Sequence, residues 1–273
     1  MNQRIIQQFT AMPLALGESH LHGLVASIRA MVASEPKTDL SALSYDWLGN
    51  EIPATSMSDG VMTIPLHGVV AKGLGPLGKF FGFLDVGEFT AQVESAAQDP
   101  DVGMIALSIA SPGGTVLGTR TAAEAVANAA QSKPVLAYTD DMMTSAAYYI
   151  GVGANQVMVG SGAAVGSVGV FTYLLDSTQF FEDRGVKAFI IRSGDKKAIG
   201  AYDIDKLDEE KLAIVQEEVD AFGAEFRGFV QSHRAISDDN LQGQYFSGEE
   251  STRRNFADRT ARTLSEALRS FAL

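Results

Sequence analysis

The stretch Val102-Gly103-Met104-Ile105-Ala106-Leu107-Ser108-Ile109-Ala110-Ser111-Pro112-Gly113-Gly114 decides the fold of this 273-residue chain. Ile105, Leu107 and Ile109 alternate with smaller residues, the period-two pattern of a strand buried in a sheet. Ser111-Pro112 ends the run, and two glycines follow where backbone must come close to another group. Thr115 is then placed to cap a helix running to about Ala130.

The same alternation recurs on both sides. Strands are predicted from Val61 to Leu66, Pro134 to Tyr138, Gln156 to Val159, Gly166 to Phe171 and Lys187 to Ile191. Helices are predicted from Glu88 to Gln98, after Ser145, from Leu174 to Arg184, and from Asp208 to Arg234. Ala71 to Gly87, glycine-rich and holding Phe80 and Phe81, reads as a mobile surface loop. Strands alternating with helices at this spacing give an α/β fold with a mostly parallel sheet. Such sheets bind ligands at the carboxyl ends of their strands, where Gly114, Ser145 and Lys197 fall. Residues 1–60 read as an N-terminal arm, with a helix from Ser19 to Ala33 and a linker holding Trp47. Residues 61–273 read as one domain with a C-terminal helical tail.

Composition narrows the chemistry. With 46% hydrophobic residues the chain can bury a core, and a net charge of −12 argues against a nucleic-acid partner. Arg253, Arg254, Arg259 and Arg262, interleaved with Asp258 and Glu266, read as a solvated helix face. The absence of cysteine excludes disulfides, thiolate metal sites and a cysteine nucleophile. No apolar run is long enough for a membrane span, and Gln7 and Gln8 interrupt any signal-peptide core, so a cytoplasmic protein is expected.

Two segments carry the chemistry: Met-Met-Thr-Ser-Ala-Ala-Tyr-Tyr at 142–149 and Ser-Gly-Asp-Lys-Lys-Ala-Ile-Gly at 193–200. A serine hydroxyl needs a base beside it to act as a nucleophile. Histidines stand only at 20, 22, 67 and 233, none near either segment in sequence. A lysine held uncharged by desolvation can serve instead. Taken singly, each residue has a plainer reading: Ser145 a helix cap, Lys197 a solvated loop cation, Ser111 to Gly114 a tight turn, Ser167 a small residue among glycines. Lys196 competes with Lys197, and residue chemistry alone does not separate them. Ala146 and Ala147 leave room over the Ser145 hydroxyl, and the N–H groups of Gly114 and Ala146 could pair on an oxyanion.

Together, the landmarks resemble the signal-peptide-peptidase-A family of Ser-Lys peptidases, relatives of the Clp proteolytic subunit and the crotonase fold. They are Ser-Pro-Gly-Gly at 111–114, Ser145-x-x-Tyr-Tyr-Ile, Gly-Ser-Val-Gly-Val at 166–170, Ser-Gly-x-x-Lys-x-x-Gly at 193–200, Phe246-x-Gly248 and Asn255-Phe256-Ala257-Asp258. The resemblance runs from about Val61 to Asp258. It implies a ClpP/crotonase-like repeated ββα superhelix with an N-terminal helical arm and C-terminal helices. It implies Ser145 as nucleophile, Lys197 rather than Lys196 as general base, and Ser167 as the hydroxyl that orients the lysine. Gly114 and Ala146 become oxyanion donors, Gly113, Gly114 and Val168 become substrate-binding residues, and no cofactor or metal is implied. Ala146-Ala147 departs from the usual Gly-Gly, and the membrane anchor of cellular members is not seen. Anchor-free versions resemble phage proteases that process scaffold or portal-associated proteins during prohead assembly. The resemblance also implies polypeptide substrates and a homo-oligomeric ring in which Ser145 of one protomer faces Lys197 of the next. The competing expectations are a bacterial peptidase degrading signal peptides or other short peptides, a crotonase-like acyl-CoA enzyme using Asp140 or Asp141, and a catalytically silent scaffolding protein.

Overall fold

A computed structural model describes residues 53–73, 78, 82–200 and 204–271, and the backbone of 14–16. In chain order it contains β1 (Leu14–Leu16), β2 (Ser56–Ser58), β3 (Val61–His67), β4 (Val69–Ala71), β5 (Phe83–Asp85) and α1 (Val86–Gln98). There follow β6 (Met104–Ala110), β7 (Gly113–Thr115), α2 (Thr119–Ser132), β8 (Val135–Thr139), β9 (Met142–Thr144) and α3 (Ala146–Gly151). Then come β10 (Gln156–Val159), β11 (Ala164–Gly166), α4 (Thr178–Glu182), α5 (Glu209–His233), β12 (Tyr245–Ser247), α6 (Gly248–Arg253), β13 (Arg259–Thr260) and α7 (Leu264–Phe271).

The alternating residues 105, 107 and 109 do form a buried strand. β6 pairs parallel with β3 and with β8, β8 pairs parallel with β10, and β10 with β13; only β2 joins the six-stranded sheet antiparallel. Ile64, Leu66, Ile105 and Leu107 are fully buried in it. Each such side chain contributes roughly 1.5–3 kcal/mol by leaving water. Each long strand hands the chain to a short one in a separate small sheet, and a helix follows three times: β3-β4-β5-α1, β6-β7-α2 and β8-β9-α3. This is the expected α/β, ClpP/crotonase-like ββα organisation with a mostly parallel sheet.

The handover explains why Gly114 must be glycine. β7 pairs with β4 through Val70 and Gly114. A Cβ on Gly114 would lie 1.9 Å from the Val70 carbonyl oxygen. Gly248, in the Phe246-x-Gly248 motif, has the same role, since a Cβ there would meet the Gly160 carbonyl oxygen at 1.9 Å.

Several local expectations are corrected. Thr115 does not cap a helix: it ends β7, and α2 begins four residues later behind Gly118, whose φ of 82° turns the chain. Within the expected mobile loop, Phe83–Asp85 is a buried strand parallel to β4; Phe80 and Phe81 lie outside the described residues. The strand at 166–171 ends at Gly166, because Gly166 and Ser167 both take positive φ, 117° and 54°. The helix at 174–184 shrinks to α4, and Lys187 to Ile191 is no strand, since no strand among the described residues pairs with it. The long helix was legible almost to the residue: Asp208 is its N-cap and accepts a bond from the Lys211 N–H. The arginines near 253–262 do not share a helix face. Arg253 lies on α6, Arg259 on β13, and Asp258 pairs with Arg234 instead. The expected helix at 19–33 and Trp47 lie outside the described residues.

Candidate active site

Ser145 sits between β9 and α3 with φ 54° and ψ −121°. A left-handed φ at a non-glycine residue is strained and is held only where the surroundings fix it. Here the Ser145 N–H donates to the Gly166 carbonyl at 2.8 Å, and the Ser145 carbonyl accepts the Tyr149 N–H at 2.9 Å. The backbone is thus pinned from both sides into a strand–turn–helix elbow, the kind of turn that lifts a serine hydroxyl out of the helix ladder. The plainer reading of Ser145 as a cap fails, because its side chain makes no capping hydrogen bond. Ser145 is 1% exposed, and its Oγ has no hydrogen-bond partner among the described residues.

The groups around it follow from the same turns. β9 pairs parallel with β11, so the chain after Gly166 leaves beside Ser145 and brings Ser167 to the elbow. Ser167 has the same φ as Ser145, 54°, and its N–H donates to the Gln244 carbonyl at 2.8 Å. Val168 beside it is buried. α3 packs against β7, which carries Gly113 and Gly114. The first intrahelical bond of α3 runs from Tyr149, leaving the N–H groups of Ala146 to Tyr148 ahead of the ladder. Ser111, which sequence reasoning treated only as part of a turn, accepts the Gly113 N–H on its Oγ at 3.2 Å and bridges to Met143. Its partner is two residues away, so a Ser-x-Gly signal was there to find.

Beyond the elbow, α3 is anchored by aromatic rings. Tyr149 stacks on Phe226 of α5 with ring centres 4.5 Å apart, tilts against Phe229, and donates to Glu225 at 3.2 Å. Tyr148 donates to the Phe256 carbonyl at 3.0 Å. Burial pushes both phenols well above their ordinary range, so they stay neutral donors. This accounts for the Tyr-Tyr pair of the 142–149 segment and for Phe256 of the C-terminal motif.

On β7, the edge away from β4 pairs antiparallel with β1, Leu14 opposite Thr115, Ala15 opposite Gly114 and Leu16 opposite Gly113.

No hydrogen bond joins Lys197 to Ser145 among the described residues. It is exposed, as is Lys196, in a turn closed by the Lys197 N–H on the Gly194 carbonyl at 3.0 Å. That turn is tied to the start of α5 through Asp205 and Lys211, whereas Tyr149 meets α5 at Phe226. Lys211 and Phe226 are about 22 Å apart along a helix rising 1.5 Å per residue. Next to the turn, Phe189 and Ile191 are 82% and 96% exposed. No cluster of three metal-ligating side chains, and no helix long and apolar enough to cross a membrane, occurs among the described residues.

The chain resembles several known proteins. It is 26% identical over 253 residues to capsid assembly protease C of Escherichia phage lambda, covering 92% of this chain and 57% of that protein. It is 27% identical over 203 residues to head-tail preconnector protein GP5 of Enterobacteria phage P21, covering 73% of this chain and 40% of that one. The chain therefore spans about half the length of these curated relatives. A solved ClpP1 mutant from Listeria monocytogenes aligns with 75% of this chain and 93% of its own, at 12% identity and a TM-score of 0.45, too distant to bear on chemistry. The model of peptidase family S49 matches residues 127–272, more than half of the chain and inclusive of Ser145, Ser167 and Lys197, and the chain belongs to that family.

Proposed function

We propose that the chain is a serine endopeptidase that cleaves polypeptides through an acyl-enzyme on Ser145, with Lys197 as general base. The observation that carries this reading is the strained elbow at Ser145, with a buried hydroxyl that has no hydrogen-bond partner among the described residues. Leaving such a group unpaired costs roughly 1–3 kcal/mol, which a purely structural serine would avoid by capping α3. In the proposed reaction Ser145 Oγ attacks the scissile carbonyl carbon as Lys197 Nζ takes its proton. The amide C–N bond then breaks, Lys197 returns the proton to the leaving amine, and water activated by the same amine releases the acyl group. The N–H groups of Gly114 and Ala146 stabilise the oxyanion, and the Ser167 hydroxyl orients the lysine amine. Gly113, Gly114 and Val168 line the path of the substrate. The pairing of Leu14–Leu16 supports an extended mode of binding, since it marks the edge of β7 away from β4 as an acceptor of an added strand.

The site is shared between protomers of a homo-oligomeric ring, Ser145 of one facing Lys197 of the next. The length of α5 between Lys211 and Phe226 supports this, as do the exposed Phe189 and Ile191 beside the lysine turn. The names of the two phage relatives favour structural proteins of an assembling phage head as substrates and the host cytoplasm or prohead as the setting. A fluorophosphonate probe tests the dyad. Labelling is lost in Ser145→Ala and in Lys197→Ala but persists in Lys196→Ala. Labelling lost in Lys196→Ala and kept in Lys197→Ala overturns the choice of base.

A further inference from the structure

Asp205 lies in a segment with no motif of its own, yet it is 4% exposed and gathers three donors. Its Oδ2 pairs with Arg192 Nη2 at 2.7 Å and accepts the Gly200 N–H at 2.9 Å. Its Oδ1 pairs at 2.8 Å with Lys211 Nζ, which also donates to the Lys206 carbonyl at 2.6 Å. Arg192 and Gly200 bracket the turn that carries Lys197. The Arg192 guanidinium reaches inside that turn as well, donating to the Ala198 carbonyl at 3.4 Å. Ala198 itself holds a left-handed φ of 61°, and Gly200 one of 69°. At Ala198 the β-carbon makes that conformation unfavourable, so it persists only when the surrounding bonds impose it.

We propose that Asp205 is a positioning residue for Lys197: one buried carboxylate fixes both ends of the lysine turn and ties them to the first turn of α5. Lys197 extends from a solvent-facing turn with no side chain among the described residues to steady it, and a long amine on a loose loop would sample many directions. Misplacing a catalytic group by about 1 Å can lower a rate by about a hundredfold. Burial alone would raise the Asp205 carboxyl, but Lys211, Arg192 and the Gly200 N–H outweigh it and hold it below the ordinary carboxylate range. The carboxylate therefore stays ionised, and the clamp stays closed, across the neutral range. Asparagine at 205 keeps the shape and loses the charge that holds Arg192 and Lys211.

The proposal rests on the reading of Lys197 as base, and a double-mutant cycle separates the two. The rate of fluorophosphonate acylation at Ser145 is measured in the full chain, in Asp205→Asn, in Lys197→Ala and in the double variant, with kcat and KM for a peptide alongside. Asp205→Asn is expected to lower acylation and kcat at least tenfold with KM held, to have no further effect on the residual rate of Lys197→Ala, and to be partly rescued by Asp205→Glu. Equal losses in both backgrounds overturn the proposal, because Asp205 then acts on the fold or on Ser145 and not through the lysine. An unchanged rate in Asp205→Asn overturns it too. A wild-type rate in Lys197→Ala overturns the Ser-Lys reading itself and the proposal with it. Should Asp205→Asn fail to fold, Arg192→Lys keeps the charge but removes the planar guanidinium whose Nη2 reaches both Asp205 and Ala198, and the same loss is expected; an unchanged rate there overturns the clamp.

Discussion

At residue scale the decisive contrast is between two serines that look alike in sequence. Ser247 precedes a helix and caps it, its Oγ accepting the Glu250 N–H. Ser145 precedes a helix and does not, because φ of 54° turns its side chain away from the ladder. No local pattern announces that difference; it comes from Gly166, on a strand distant in sequence, which takes the Ser145 N–H. Gly114 was easier to read, since two glycines at the end of a buried strand already implied a close approach. Gly114→Ala would drive a methyl into the Val70 carbonyl at 1.9 Å. The expected result is a lowered denaturation midpoint and the loss of probe labelling, whereas Gly162→Ala, where a Cβ meets nothing within 4 Å, should leave both unchanged.

At the scale of elements, the long strands and α5 were legible because each has enough residues to show its period. The short strands were not. β7, β9 and β11 have three residues each, too few for alternation to register, and their pairing is set by tertiary neighbours. Lys187 to Ile191 fails in the opposite way: it was expected as a strand feeding the Lys197 loop, yet it is not one, and Phe189 and Ile191 face outward. Two predictions belong here. Phe226→Ala removes the ring stacked on Tyr149 and should cost about 3–5 kcal/mol by chemical denaturation, with labelling of the folded fraction reduced as α3 loosens. Leu14→Pro with Leu16→Pro removes two backbone N–H groups from β1 and should lower KM for an extended peptide severalfold, since β1 and substrate compete for one edge. An unchanged KM would mean that substrate does not add to β7.

For the whole molecule, the tail closes on the body through charge. Arg234, at the end of α5, holds Asp258 with two bonds of 2.6 and 2.7 Å, and Asp258 also accepts the Val157 N–H at 2.7 Å. Burial raises the Asp258 carboxyl, but Arg234 and the Val157 N–H outweigh that and hold it below its ordinary range. A carboxylate depressed on folding stabilises the fold above its unfolded value, about 3.9, and that contribution fades as pH falls through the lower folded value. Melting temperature should therefore drop on acidification below about pH 4. Asp258→Asn should melt lower at pH 7 and show a shallower drop in acid; an identical pH profile would remove Asp258 from the account. The pairing was missed in the sequence because Asp258 lies among nearby arginines, and its partner comes from the far end of a helix.

The central claim, a serine of one protomer served by a lysine of the next, is tested most directly by complementation. Ser145→Ala and Lys197→Ala proteins, each inactive alone, are mixed under conditions that exchange subunits, and peptide cleavage is measured against the mixing ratio. Shared sites predict that activity returns and is greatest near equal amounts, because only mixed neighbours join an intact Ser145 to an intact Lys197. Subunit exchange with no activity at any ratio would contradict it.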